Sequence, residues 1–217
     1  MKDFSTSFLK PAIPFFFLLI LIWLIHFFNI GYDLELHTFG ILPRKISGLI
    51  GILLSPLIHS SSDIKHIINN SPPLIILGWA LLYFYKEIAF KIFCYSWFLV
   101  GFFVWISARP SFHIGISGVI YCLAFFLFFS GVFRKDKRLL AISLFVVFLY
   151  GSMIWGIFPY DWSISFESHF FGALTGTVLA FFYKKEGATF KRKKTQWEIE
   201  EEMGIEPPDF ENTIYFD

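Results

Sequence analysis

Cysteine is nearly absent: Cys94 and Cys122 are the two in 217 residues, each inside an apolar run. That excludes a disulfide-stapled scaffold, reveals no redox compartment, and makes both side chains core filler. Charge is scarce as well. Only 16% of the residues are Asp, Glu, Lys or Arg, and a formal net charge of +1 gives no basis for a nucleic-acid partner. No H-E-x-x-H motif occurs and no carboxylate is counted at the level of His59, His66, His113 and His169, which weighs against a metal-dependent membrane hydrolase; no metal or cofactor is called for. The lack of an internal repeat or a charged pathway weighs against a transporter. After the first apolar run no small-residue cleavage site follows Trp23, His26 and Phe28, so this run is expected to remain as a helix.

Hydrophobic residues, by contrast, make up 56% of the chain and aromatics 22%, with a mean hydropathy of +0.62. A soluble domain is not that apolar; this is a multi-span, all-α membrane protein. Runs long enough to cross a hydrocarbon core of roughly 30 Å fall near 12–30, 66–85, 88–106, 117–133, 139–157 and 167–183, predicting six helices. Lys2, Lys10, Lys86, Lys91, the run from Arg134 to Arg138, and Lys184, Lys185 and Lys191 to Lys194 all fall on one side. The positive-inside rule makes that side, and both termini, cytoplasmic, although Arg44, Lys45, Lys65 and Arg109 fall on the other. The connection at 31–62 is half polar, and its apolar stretch, Ile46 to Leu54, is too short to span, so it should lie at the outer interface or against the bundle. Residues 1–185 read as a membrane domain. Residues 186–217 read as a cytoplasmic tail, basic and then acidic, that cannot bury a core and is expected to be disordered.

Three polar side chains inside these runs share a depth. Counting back from the inner charges, Ser117 lies 17 residues from Arg134, His169 15 from Lys184 and Asn70 16 from Lys86, which puts all three roughly 22–26 Å above the inner surface. His66 is one turn further out on the same face as Asn70. Alone, each is more often a satisfied polar group packing helices. Together they suggest mutual pairing, with a serine nucleophile and a histidine base. Gly172 and Gly176 share a face with His169 and allow a neighbouring helix close, while Gly115 and Gly118 leave room around the serine. Tyr121, four residues after Ser117, faces the same way and could hold an imidazole in place of a triad's acid.

Taken together, Gly115-Ile116-Ser117-Gly118 with Tyr121, His169 followed by Gly172 and Gly176, and His66-Ile67-Ile68-Asn69-Asn70 resemble the rhomboid intramembrane serine proteases over residues 12–185. The resemblance implies a six-helix rhomboid-like bundle in which Ser117 is the nucleophile and His169 the general base. It also implies an oxyanion hole made by His66, Asn70 and the Ser117 backbone N–H. The substrates would be transmembrane proteins cut near the outer membrane face, and the setting the lipid bilayer of a bacterial plasma membrane. The alternative is an inactive family member that binds membrane clients. The first loop has Pro43-Arg44 where many members carry Trp-Arg, and Ser168 where alanine often precedes the histidine.

Overall fold

The computed structural model describes residues 8–187 and 195–205. Lys2, Lys191 to Lys194 and the aromatic end of the tail, Phe210 and Tyr215, lie outside the described residues. Among those described there are eight α-helices and no strand: α1 (Ile13–Tyr32), α2 (Gly51–Leu54), α3 (Ile64–Phe84), α4 (Ala89–Ser107), α5 (Ser117–Arg134), α6 (Lys137–Tyr150), α7 (Phe166–Phe182) and α8 (Gln196–Glu202). By length and composition α1, α3, α4, α5 and the segment Lys137–Ile157 can each cross a membrane. The 17-residue α7, at 1.5 Å per residue, reaches about 25 Å.

Local chemistry sets these boundaries. Asp63 caps α3 by accepting the Lys65 N–H, and Asp136 caps α6 by accepting from Arg138 and Leu139. Asp33, in the left-handed region at φ 50°, ends α1. Pro72 and Pro73 sit inside α3 without ending it; the freed carbonyls of a membrane helix can be satisfied by neighbours and local adjustment.

The core is the α5–α7 contact, with α3 and α4 completing it around Leu74, Leu77, Val104, Ile120, Leu123, Phe126 and Leu127, each 1% exposed or less. Backbone meets backbone here. A Cβ on Gly172 would fall on the Gly118 carbonyl, and one on Gly176 on the Cys122 carbonyl. The side chains of Cys122 and Ser130 in α5 are fully buried. At the C-terminal ends of α5 and α7 Arg134 holds the two helices together, donating to Ser130 Oγ at 3.0 Å and to the backbone carbonyls of Tyr183 and Glu186.

The sequence predicts a continuous helix over 139–157, but the α-helix ends at Tyr150 and Gly151–Ile157 continues as a 3-10 turn. Glycines at 151 and 156, with Pro159 beyond, weaken the helix there. The first connection packs on the bundle: Trp97 Nε1 donates to Leu53 O at 3.1 Å, and Gly101 lets Ile52 lie against α4. Arg44, with φ 58°, donates from Nη1 to Ala108 O at 2.8 Å and Ile106 O at 3.2 Å, capping carbonyls at the end of α4. In the tail, expected to be disordered, residues 196–202 are helical. A capping box joins Thr195 and Glu198, and no residue of that helix is buried.

Candidate active site

Ser117 is the first residue of α5. Gly115, at φ +103°, turns the chain into the helix in a conformation open to glycine, and its N–H donates to Ser55 O at 2.9 Å. A helix start leaves N–H groups without intrahelical acceptors and carries the positive end of the helix dipole, so the backbone at Ser117 suits a developing negative charge.

His169, in the first turn of α7, faces it. Ser117 Oγ and His169 Nε2 are 2.9 Å apart. On the other side of the ring, His169 Nδ1 is 2.9 Å from Gly156 O. A carbonyl can only accept, so the proton sits on Nδ1 and Nε2 is left to accept from the serine hydroxyl. The Tyr121 ring stacks on the imidazole with centroids 4.1 Å apart and planes 5° apart, and Tyr121 Oη donates to Met153 O at 2.8 Å. Both carbonyls belong to the 3-10 turn Gly151–Ile157, so the departure from α-helix aims main-chain acceptors at His169 and at the tyrosine stacked on it.

Gly118 leaves room for Ser168 O and Val100, and Gly172 for Gly118 O and the Tyr121 Cβ. Asn70, at 9% exposure, matches Ser117 at 8% and His169 at 9%. Its Nδ2 donates to His59 Nε2 at 3.2 Å, which leaves the second amide hydrogen free. The His66 ring lies tilted at 58° to that of His59, with centroids 4.9 Å apart, and its Nε2 lies against Gly115, where a Cβ would collide with it. Neither His66 nor Asn70 is hydrogen-bonded to Ser117 here. Burial, reinforced by neighbouring His66, pushes His59 down to about 3, so it is neutral and accepts from Asn70.

The family model for the Rhomboid domain matches residues 46–186. The chain belongs to the rhomboid family. As a member it is an integral membrane protein of a family made of intramembrane serine proteases and inactive homologues. It is similar to an uncharacterized protein of Mycobacterium bovis and to one of Mycobacterium tuberculosis, each 31% identical over 156 residues. In both cases that is 68% of this chain and 64% of the relative. A Mycobacterium leprae protein, also uncharacterized, is 29% identical over 157 residues, 61% of its own length. The chain thus spans just under two thirds of the curated relatives it matches. Helix α1 lies ahead of the residues the family model matches.

Two features of this rhomboid's site escape sequence counting. Gly156 sits 13 residues before His169 and supplies only a carbonyl; the glycine itself was the available signal, since a Cβ there would strike Tyr121 Oη. Glu167 is 8% exposed, two residues before His169, so a carboxylate does lie close to the histidines, contrary to the depth count. The first-turn position hid it, because a carboxylate at a helix start reads as a capping charge. His113 is held by Arg109 O and Ser165 Oγ. Among the described residues no three His, Cys, Asp or Glu side chains form a metal-binding group.

Proposed function

We propose that this rhomboid is a serine endopeptidase that cuts transmembrane proteins within the bilayer, using a Ser117–His169 dyad. The observation that carries it is the 2.9 Å contact from Ser117 Oγ to His169 Nε2, with the imidazole's other nitrogen held by Gly156 O. His169 takes the Ser117 proton as Oγ attacks the scissile carbonyl, and the resulting imidazolium is braced by the Gly156 carbonyl and the Tyr121 ring. The oxyanion forms in front of the Ser117 N–H at the start of α5. The free amide hydrogen of Asn70 and the ring of His66 add donors, each typically worth about 10²–10³ in rate. The imidazolium then protonates the leaving amine, and His169 activates a water that hydrolyses the Ser117 ester.

The charge pattern supports cytoplasmic termini and a site opening towards the outer face, in the plasma membrane of a bacterium, with residues 1–185 as the membrane domain and 186–217 as a cytoplasmic tail. Exposed Trp155, Tyr160 and Trp162 suit an outer aromatic belt. Below the site an apolar cavity of about 600 Å³ separates α3 from α6, lined by Ile76, Ala80, Ile142 and Phe145 among others. A substrate helix cut at the level of Ser117 would rest its inner part there.

The test is labelling of the purified protein with a fluorophosphonate, with and without a chelator, together with a comparison of ectodomains released by cells carrying wild type or Ser117→Ala. Chelator-insensitive labelling at Ser117 and ectodomains lost in the variant are expected. Absence of labelling, or equal release by both cell lines, sinks the protease reading.

A further inference from the structure

The outer end of the bundle holds a second polar cluster that the proposed chemistry leaves unused. Arg109 and His113 come from the segment leading into α5; Ile164, Ser165, Glu167 and Ser168 come from the start of α7. Glu167 Oε1 accepts the Arg109 backbone N–H at 3.3 Å and lies 3.6 Å from Arg109 Nε. The guanidinium also donates to Ile164 O at 2.6 Å and lies 5.3 Å and 5.2 Å from the Trp162 and Phe166 ring centroids.

A second tie runs beside the first. His113 Nε2 donates to Arg109 O at 3.1 Å, which makes Nδ1 the acceptor for the Ser165 hydroxyl at 2.6 Å. Ser165 Oγ accepts in turn from the Ser168 hydroxyl at 2.7 Å. The donors thus run in one direction, from Ser168 to Ser165 to His113 to Arg109 O, and the Ser165–His113 bond is the one that crosses from the start of α7 to the segment before α5.

A buried carboxylate is costly even when paired, and apolar side chains of similar volume often hold a core equally well or better. The location of the pair gives it a purpose. Arg109 stands eight residues before Ser117, and Glu167 two before His169. The nucleophile's segment is also fixed from behind: Ile41 and His113 exchange both backbone hydrogen bonds at 2.9 Å, and Gly115 N–H is held by Ser55 O. With that side anchored and the body of α7 held at Gly172 and Gly176, the Arg109–Glu167 pair acts on the one turn of α7 that precedes those contacts and carries His169.

We infer that Glu167 is a positioning residue: through Arg109 it draws the first turn of α7 onto the segment that carries Ser117 and so sets the distance across which the proton moves to His169. The inference rests on the dyad reading above. It assigns Glu167 a geometric role as an acceptor, not a contact with substrate.

The experiment measures the rate at which a fluorophosphonate labels Ser117 per folded molecule in detergent, for wild type, Glu167→Ala and Glu167→Gln, with Ser117→Ala as the blank. Because a displacement of about 1 Å can cost on the order of 100-fold, Glu167→Ala should label roughly 10- to 100-fold more slowly. Glu167→Gln keeps an oxygen for the Arg109 N–H and should recover to within a few-fold of wild type. A merely structural role would lower the folded fraction of both variants and leave the rate per folded molecule unchanged. Wild-type labelling by folded Glu167→Ala overturns the inference, as does failure of the Gln variant to recover. If Glu167→Ala does not fold, Ser165→Ala cuts the parallel tie together with the cap that Ser165 Oγ gives the Ser168 N–H, and should slow labelling several-fold per folded molecule; an unchanged rate overturns the inference there too. A wild type that takes no label at all overturns the protease reading, and the positioning role with it.

Discussion

Helices α5 and α6 are neighbours of similar apolarity with opposite surroundings. Two thirds of the α5 span, 67%, is buried, against 11% of Lys137–Ile157. The first is locked backbone to backbone against α7; the second turns Leu144 (69% exposed) and Phe148 (84%) outward. The site straddles that boundary. The proposed nucleophile and base, Ser117 and His169, come from the locked pair, while the carbonyls that hold His169 and Tyr121, Gly156 O and Met153 O, come from the end of the loosely packed segment. Packing of this kind lets one element shift while its neighbours stay fixed, so a movement of the segment after α6 would alter the state of His169 without moving Ser117.

The largest effect should come from the locked pair itself. Ser117→Ala and His169→Ala should each abolish cleavage while leaving an inserted, folded protein, and the double variant should be no worse than either single one, because the two groups act as a unit. Activity assays with thermal unfolding in detergent check this; additive losses would mean that they do not share a proton. Next, Asn70→Ala should lower kcat by an amount corresponding to roughly 2.7–4 kcal/mol with KM little changed, as for one oxyanion donor. An unchanged kcat on the folded fraction would leave Asn70 as a helix-packing residue held by His59.

Two glycines then separate the regions. Gly172→Val forces a side chain into the Gly118 carbonyl and should destabilise the bundle by about 1–3 kcal/mol or more, taking activity with it. Gly156→Ala puts a methyl against Tyr121 Oη and His169 Nδ1, but no residue of its segment, Gly151–Ile157, is buried. It should therefore slow turnover roughly 10- to 100-fold with a much smaller change in Tm. Equal losses of stability in the two variants would erase the contrast between the halves.

The sequence makes the locked half more legible than the loose one, for physical reasons. Apolar runs bounded by charge locate α1, α3, α4, α5 and α7 to within about two residues, because burial in lipid needs length and little else. Depth counting singles out Ser117, His169 and Asn70, since helical rise is constant. It is blind to groups that act through the main chain or through a tertiary pair. The Gly156 carbonyl, the His59 ring that takes one Asn70 hydrogen and the Arg109–Glu167 pair depend on where loops fold back, and loop geometry has no period to read. Pro43-Arg44 is a case between: the residues were visible, but that Arg44 caps the end of α4 follows only from the fold.

The smallest effect concerns pH and the first connection, where His59 meets Asn70 of α3. His59 is pushed down to about 3 by burial, with His66 adding to it, whereas in the unfolded chain it titrates near 6.5. Above pH 6.5 the ring is neutral in both states and contributes no pH dependence. As pH falls from 6.5 towards 3 the unfolded chain takes up a proton that the folded one refuses, so stability drops by up to about 1.4 kcal/mol per pH unit over that window. His113, also lowered by burial, acts in the same direction. Substituting His59→Gln keeps an acceptor for Asn70 and removes the titration. In detergent the wild type should therefore lose Tm between pH 7 and pH 5 more steeply than His59→Gln, with the two curves parallel above pH 7. If the slopes match below pH 6.5, His59 takes up its proton without opening the fold. The Asn70 contact would then be one the protein can lose at no cost.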